Sequence, residues 1–294
     1  MPERSQTLAQ LLGHADDARL MIINADDFGM CHGENVATIA GLEQGAFSCS
    51  TIMMPCAWAE DAVAFAAARP NADLGVHITH TSEWPTLKWG PVAGRGTVPS
   101  LVDARGYFYP DLPNLYAHAH LEEVEIETRA QIDTALAAGV DVTHLDSHMG
   151  TVQLEARYHE LYVRLAAEYR LPIRMASPAF MRDLGMGHIA ERAASLGVLC
   201  PDHFWYGGPA TPDETAAYWT NVFGRLGFGV SELYVHAGID TPEMRAVGGD
   251  MWEQRAADFA FFTAPSTRAL IRDLGIIQIG YRDLRDLQRR LVAC

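Results

Sequence analysis

The chain has 294 residues, 49% of them hydrophobic, which is the share of a water-soluble globular protein rather than a disordered or fibrous one. A chain of this size hides roughly 75% of its unfolded surface on folding, so a metal site in it is expected to be chemical rather than a structural staple. Its 22 basic and 37 acidic side chains leave a net charge of −15, which opposes binding to nucleic acid and to anionic membrane surfaces.

Apolar stretches such as 20–23 and 62–68 are far shorter than the ~20 residues that span a bilayer, so no membrane helix is expected. The segment Met1–Gln6 has no apolar run after Arg4, which reads as the absence of a secretory signal and as a cytoplasmic protein. Cys31, Cys49, Cys56, Cys200 and Cys294 are scattered, odd in number and without a C-x-x-C pair, the usage of reduced thiols.

Short β-branched runs alternate with amphipathic stretches along the chain. Strands are predicted at 20–24, 49–53 and 73–78, with helices at 35–45, closing on a glycine, and at 57–68, stopped by Pro70. From 79 to about 117 the pattern dissolves into Pro, Gly and aromatic residues, a connection long enough to be a lid or substrate loop. Beyond it, helices are predicted at 120–138, 154–169, 211–226, 251–263 and 266–274 and at the C-terminus, with strands at 142–146, 173–175, 232–236 and 276–279. The alternation argues for a single α/β domain over 1–294, a distorted TIM-like (β/α) barrel with about seven or eight mainly parallel strands. A doubly wound open sheet is the alternative, but neither a G-x-G-x-x-G run nor a P-loop is present.

In such folds ligands sit where the strands end. Here the strands end in Asp26-Asp27, in His77, in Asp146-Ser147-His148 and in His236. Each has an ordinary reading: the Asp pair as a helix cap, His77 and His236 as hydrogen-bonded histidines, and His144, Asp146 and His148 as the solvated face of an edge strand. Together, four polar strand ends point to one site. One carboxylate and two imidazoles make a three-ligand metal site with an open position, a second carboxylate can take a proton from water, and a histidine can protonate a leaving group. The order of roles within the Asp pair stays open at this level.

The runs Asn24-Ala-Asp-Asp-Phe-Gly29, Leu74-Gly-Val-His77, Thr143-His-Leu-Asp-Ser-His148 and Glu232-Leu-Tyr-Val-His-Ala-Gly238 together resemble the YdjC/ChbG/HpnK family of carbohydrate deacetylases, from about residue 19 to the C-terminus. The resemblance implies a TIM-like barrel that removes an N-acetyl group from an amino sugar or N-acetylated oligosaccharide with one divalent metal ion per chain. It implies Asp27, His77 and His148 as metal ligands, Asp26 as general base and His236 as general acid. Zn or Mg is the first expectation for the metal, with Mn, Co and Ni also suited to an Asp-His-His set. The family usually continues D-S-H-x-H, whereas this chain has His148-Met149-Gly150, and the usual H-P-G is His236-Ala237-Gly238. These departures bear on the substrate more than on the chemistry.

Aromatic residues of the long loop (Trp84, Trp89, Tyr107, Phe108, Tyr109), with Trp205, Tyr206 and Trp252, are candidates for stacking on sugar faces. The expected partner is a small N-acetylated sugar, without nucleic acid or membrane, and a homodimer is compatible with the resemblance. The competing readings are a metal hydrolase of a different amide or ester and a catalytically degenerate carbohydrate-binding protein.

Overall fold

The computed structural model describes residues 6–293; Cys294 and residues 1–5, part of the segment read for a secretory signal, lie outside it. Its strands are β1 (Arg19–Phe28), β2 (Cys49–Ile52), β3 (Leu74–Ile78), β4 (Val142–Ser147), β5 (His203–Trp205), β6 (Gly229–Val235) and β7 (Ile276–Gln278). Every ladder is parallel, in the order β4-β3-β2-β1-β6-β5, with β7 paired to the start of β1. β1 is central and buried along almost its whole length, as its near-continuous apolar start demands of a parallel strand covered on both faces. The sheet curls into an open, distorted (β/α) barrel, and the main apolar core packs between strands and surrounding helices.

The predicted 173–175 strand is replaced by a single bridge between Ile173 and Leu145. Pro172, which has no N–H to give a ladder, precedes it. β5 was not expected; at three residues, one exposed and two half-buried, it carries no readable period. The helices Leu112–His118, Pro178–Asp183 and Pro242–Gly248 are also additional. Each opens with an Asp, Ser or Thr cap and a proline in its first turn.

Toward one end of the barrel the interior is polar. Asn24, Asp26, Thr51, His77 and Asp146 are buried there and hydrogen-bond to one another. His144 and Asp146 are fully buried as well, so β4 does not present them to solvent as an edge face. Between Ala25 and Phe28 the register of β1 shifts, and Asp27 takes φ 65°. This break in the pleat lets two consecutive carboxylates reach the same cavity, where regular alternation would turn one away.

Gly75, within the L-G-V-H run, is required by packing. A Cβ there would stand 2.6 Å from the His144 carbonyl oxygen and 2.7 Å from its ring, and that ring is stacked on Tyr281 at 3.9 Å. Gly75→Ala is expected to destabilise the fold by about 1–3 kcal/mol, the usual cost of overpacking. Urea unfolding would show this as a lowered midpoint with an unchanged slope; an unchanged midpoint would contradict the packing.

Segment 79–117 is tied down by buried Trp89, Val98, Leu101 and Phe108, while its first residues, Glu83 and Trp84, face the cavity described next. Among the described residues no helix is long and apolar enough to cross a membrane.

Candidate active site

Asp26, Asp27, His77, His148 and His236 line one cavity of about 690 Å³. The first four are buried, and the His236 side chain is 36% exposed. Asp27 sits at the centre. Its Oδ1 is 3.1 Å from His148 Nδ1 and 3.3 Å from His77 Nε2, and its Oδ2 is 3.0 Å from Arg255 Nη1 and 3.8 Å from His236 Nε2.

The tautomers follow from the outer partners. His77 Nδ1 lies 2.7 Å from Asp146 Oδ1, and His148 Nε2 lies 2.9 Å from Glu83 Oε2. A carboxylate can only accept, so each ring donates its outer N–H; its inner nitrogen donates a second N–H to Asp27 when the ring is protonated and offers a lone pair to a cation when it is neutral. Two neutral imidazoles and one carboxylate would make an all-acceptor cluster complementary to a cation, each imidazole buttressed by an outer carboxylate in the way metal-binding histidines are. The same demand for positive charge raises the histidine pKa values. Burial opposes protonation of His77, but the charge and hydrogen bond of Asp146 prevail and carry it to about 9. His148 is raised against its burial by Glu83 and Asp27.

Among the described residues, two groups of side chains place three ligand atoms within 4.8 Å of one another: Asp27, His77 and His148, and Asp26, His77 and Asp146. His77 is shared between the two. The second already has its cation. Arg174 Nη1 lies 2.7 Å from Asp26 Oδ2 and 3.0 Å from Asp146 Oδ2, Nη2 lies 2.7 Å from Asp26 Oδ1, and Nε lies 2.8 Å from Glu232. Arg174 thus holds both oxygens of Asp26, whereas Arg255 takes only Oδ2 of Asp27 and leaves Oδ1 to the two histidines, which makes the Asp27 set the better fit to a metal ion.

Asp26 is gripped at both oxygens by Arg174 and accepts a third bond from Asn24 Nδ2 at 2.7 Å. Burial alone would raise its pKa, yet the charge and hydrogen bonds of Arg174 bring it to about 2. Asp26 is thus a fixed, ionised carboxylate beside the Asp27 cluster. Burial instead raises Glu232 to about 7, against Arg174 and the Tyr281 hydroxyl, which donates to it at 2.6 Å.

Sequence reading missed Arg174, Arg255, Glu83 and the orienting role of Asp146. Arg174 carried a signal, an arginine inside an apolar run, since a buried charge must be paired. Arg255 and Glu83 carried none, because their partners Asp27 and His148 are distant in sequence. Of the proposed stacking aromatics, Trp84 and Tyr206 line the cavity, whereas Trp89 and Phe108 are core residues.

The family model described as YdjC-like protein matches residues 20–273. A carbohydrate deacetylase of Thermus thermophilus is 34% identical over 264 residues, covering 87% of this chain and 90% of the relative. A carbohydrate deacetylase of Thermoanaerobacter pseudethanolicus is 32% identical over 271 residues, covering 91% of this chain and 100% of the relative. Among solved structures, a protein of Enterococcus faecalis V583 provisionally named for cellobiose-phosphate cleavage superposes with a TM-score of 0.77 at 26% identity, covering 91% of this chain and 99% of that one.

Proposed function

The chain belongs to the YdjC-like protein family, and from that membership and the geometry of its cavity we propose that it is a metal-dependent carbohydrate N-deacetylase. The observation that carries the reading is the Asp27 cluster, two outward-donating histidines whose inner nitrogens meet one carboxylate oxygen.

In this reading Asp27, His77 and His148 hold the metal. A bound divalent ion supplies Lewis acidity, polarising an amide carbonyl and bringing the pKa of water toward ~7. Asp26, locked by Arg174, accepts a proton from the attacking water. His236, at the half-open rim, donates a proton to the amine nitrogen as its bond to the acetyl carbon breaks. Water and the N-acetyl sugar give acetate and the amino sugar. Asp146 and Glu83 hold the two imidazoles in the tautomers that binding requires. The first residues of segment 79–117 serve as a substrate loop through Glu83 and Trp84 in a chain that acts as one catalytic domain. Cytoplasmic location, a small N-acetylated sugar as substrate rather than nucleic acid or membrane, and a homodimer complete the reading.

His148→Ala is expected to lower bound metal from one ion per chain to a small fraction of that, measured by elemental analysis after reconstitution and desalting. Unchanged metal content would remove His148 from the ligand set.

A further inference from the structure

Asp27 divides its two oxygens between different partners. Oδ1 faces the two histidines, at 3.1 and 3.3 Å, whereas Oδ2 lies 3.0 Å from Arg255 Nη1 and 3.8 Å from His236 Nε2. Arg255 sits on the helix Trp252–Thr263, and its Nη1 is also ion-paired with Glu34, a fully buried residue of the helix His32–Glu43. That helix follows β1 directly, so Asp27 and Glu34 flank one turn and close on the same guanidinium.

Other contacts fix Arg255 in place. Trp84 covers the guanidinium, with its ring centroid 5.6 Å from Cζ. The backbone carbonyl of Arg255 accepts from Gly238 N at 3.1 Å, two residues beyond His236. A Cβ on Gly238 would stand 3.2 Å from Arg255 Cβ and 2.9 Å from Met244 Cε, so the turn after His236 is seated on this residue. Arg255 is buried, yet its Nε has no hydrogen-bond partner. An arginine kept for stability alone would have its buried donors paired. The guanidinium is instead fitted to Asp27 and Glu34.

We infer that Arg255 is a positioning residue that keeps Asp27 a one-oxygen ligand. The inference deepens the deacetylase reading and rests on it for the ion at the Asp27 cluster. A carboxylate can offer a divalent ion one oxygen or two. With Oδ2 taken by Arg255, only Oδ1 is offered, and the three-ligand set keeps the open position that hydrolysis needs. Without Arg255, Oδ2 is free to fill that position and is withdrawn from His236. Removing the guanidinium therefore strengthens ion binding and slows turnover, whereas loss of a merely structural contact would weaken both.

The test uses the full chain, chelator-stripped, as wild type, as Arg255→Met, and as Arg255→Met combined with Glu34→Gln. The double substitution removes charge and countercharge together and leaves the local net charge unchanged. Zinc affinity is measured by competition with a chromophoric chelator, and acetate release from N-acetylglucosamine oligosaccharides is measured on the reloaded protein. Both variants are expected to bind zinc about tenfold more tightly and to lower kcat about 10- to 100-fold, the scale on which outer partners of metal ligands act. Weaker or unchanged zinc binding in the double variant would overturn the inference. Tighter binding in Arg255→Met alone would assign the effect to charge and overturn it as well. A crystal structure of zinc-loaded wild type reads the same point without a substitution: Oδ1 on the ion with Oδ2 on Arg255 supports the inference, and both oxygens on the ion overturn it. Tighter zinc binding in both variants of a protein that releases no acetate would sustain the inference while defeating the deacetylase reading, and acetate release with weakened zinc binding would do the reverse.

Discussion

Asp26→Asn is expected to leave one metal ion per chain in place and to lower kcat for acetate release by about 100- to 10,000-fold, the usual worth of a general base. The separation follows from the geometry. The close approaches of His77 and His148 are to Asp27, not to Asp26, whose oxygens are taken by Arg174 and Asn24. An asparagine keeps the shape of the side chain and loses its capacity to accept a proton. Metal content and acetate release are read on the same preparation. Near-full turnover with metal bound would show that another group is the base.

Arg174→Gln has the larger expected effect on the fold and a second effect on the pH profile. It leaves Asp26, Asp146 and Glu232 buried without their shared cation, and breaking a buried pair from one side costs about 3–5 kcal/mol. The sign of the pH effect follows from Asp26. Burial favours its protonated form, and Arg174 is the main influence holding its pKa at about 2. In the wild type this depressed value contributes stability at neutral pH that is lost as pH falls from 3.8 toward 2. Without Arg174 the carboxyl protonates at higher pH, so the acid limb of kcat/KM moves upward. Urea unfolding at neutral pH and kcat/KM across the acid range check both effects. An unshifted limb in a folded variant would mean that Arg174 is not what keeps Asp26 ionised.

The barrel was legible because its parallel strands are short, apolar and covered on both faces. The candidate residues were legible because each polar group interrupts or closes such a run. Other features depended on three dimensions. The positive φ of Asp27, which brings both carboxylates to one cavity, leaves no mark in composition or period. Arg174 was hidden in a predicted strand that exists only as one bridge. Arg255 reaches Asp27 from a helix 228 residues away. Leu154, Phe180, Leu184 and Met251, which line the cavity from three separate segments, each looked like an ordinary surface hydrophobe. By contrast, the Ser177-Pro178 and Thr241-Pro242 starts of two unpredicted helices were readable cap signals, overlooked because the helices themselves are only 6 and 7 residues long.

Hydrolysis of an N-acetyl group with a metal held at Asp27, His77 and His148 can be checked by quantifying acetate and free amine from a panel of N-acetylglucosamine monosaccharides, oligosaccharides and glycosides, using metal-loaded and chelator-stripped wild type. Equal amounts of acetate and amine are expected from the loaded protein, with activity lost on stripping and restored by one ion per chain. Loaded protein with one ion bound that releases no acetate from any member of the panel, or stripped protein that remains fully active, would contradict it.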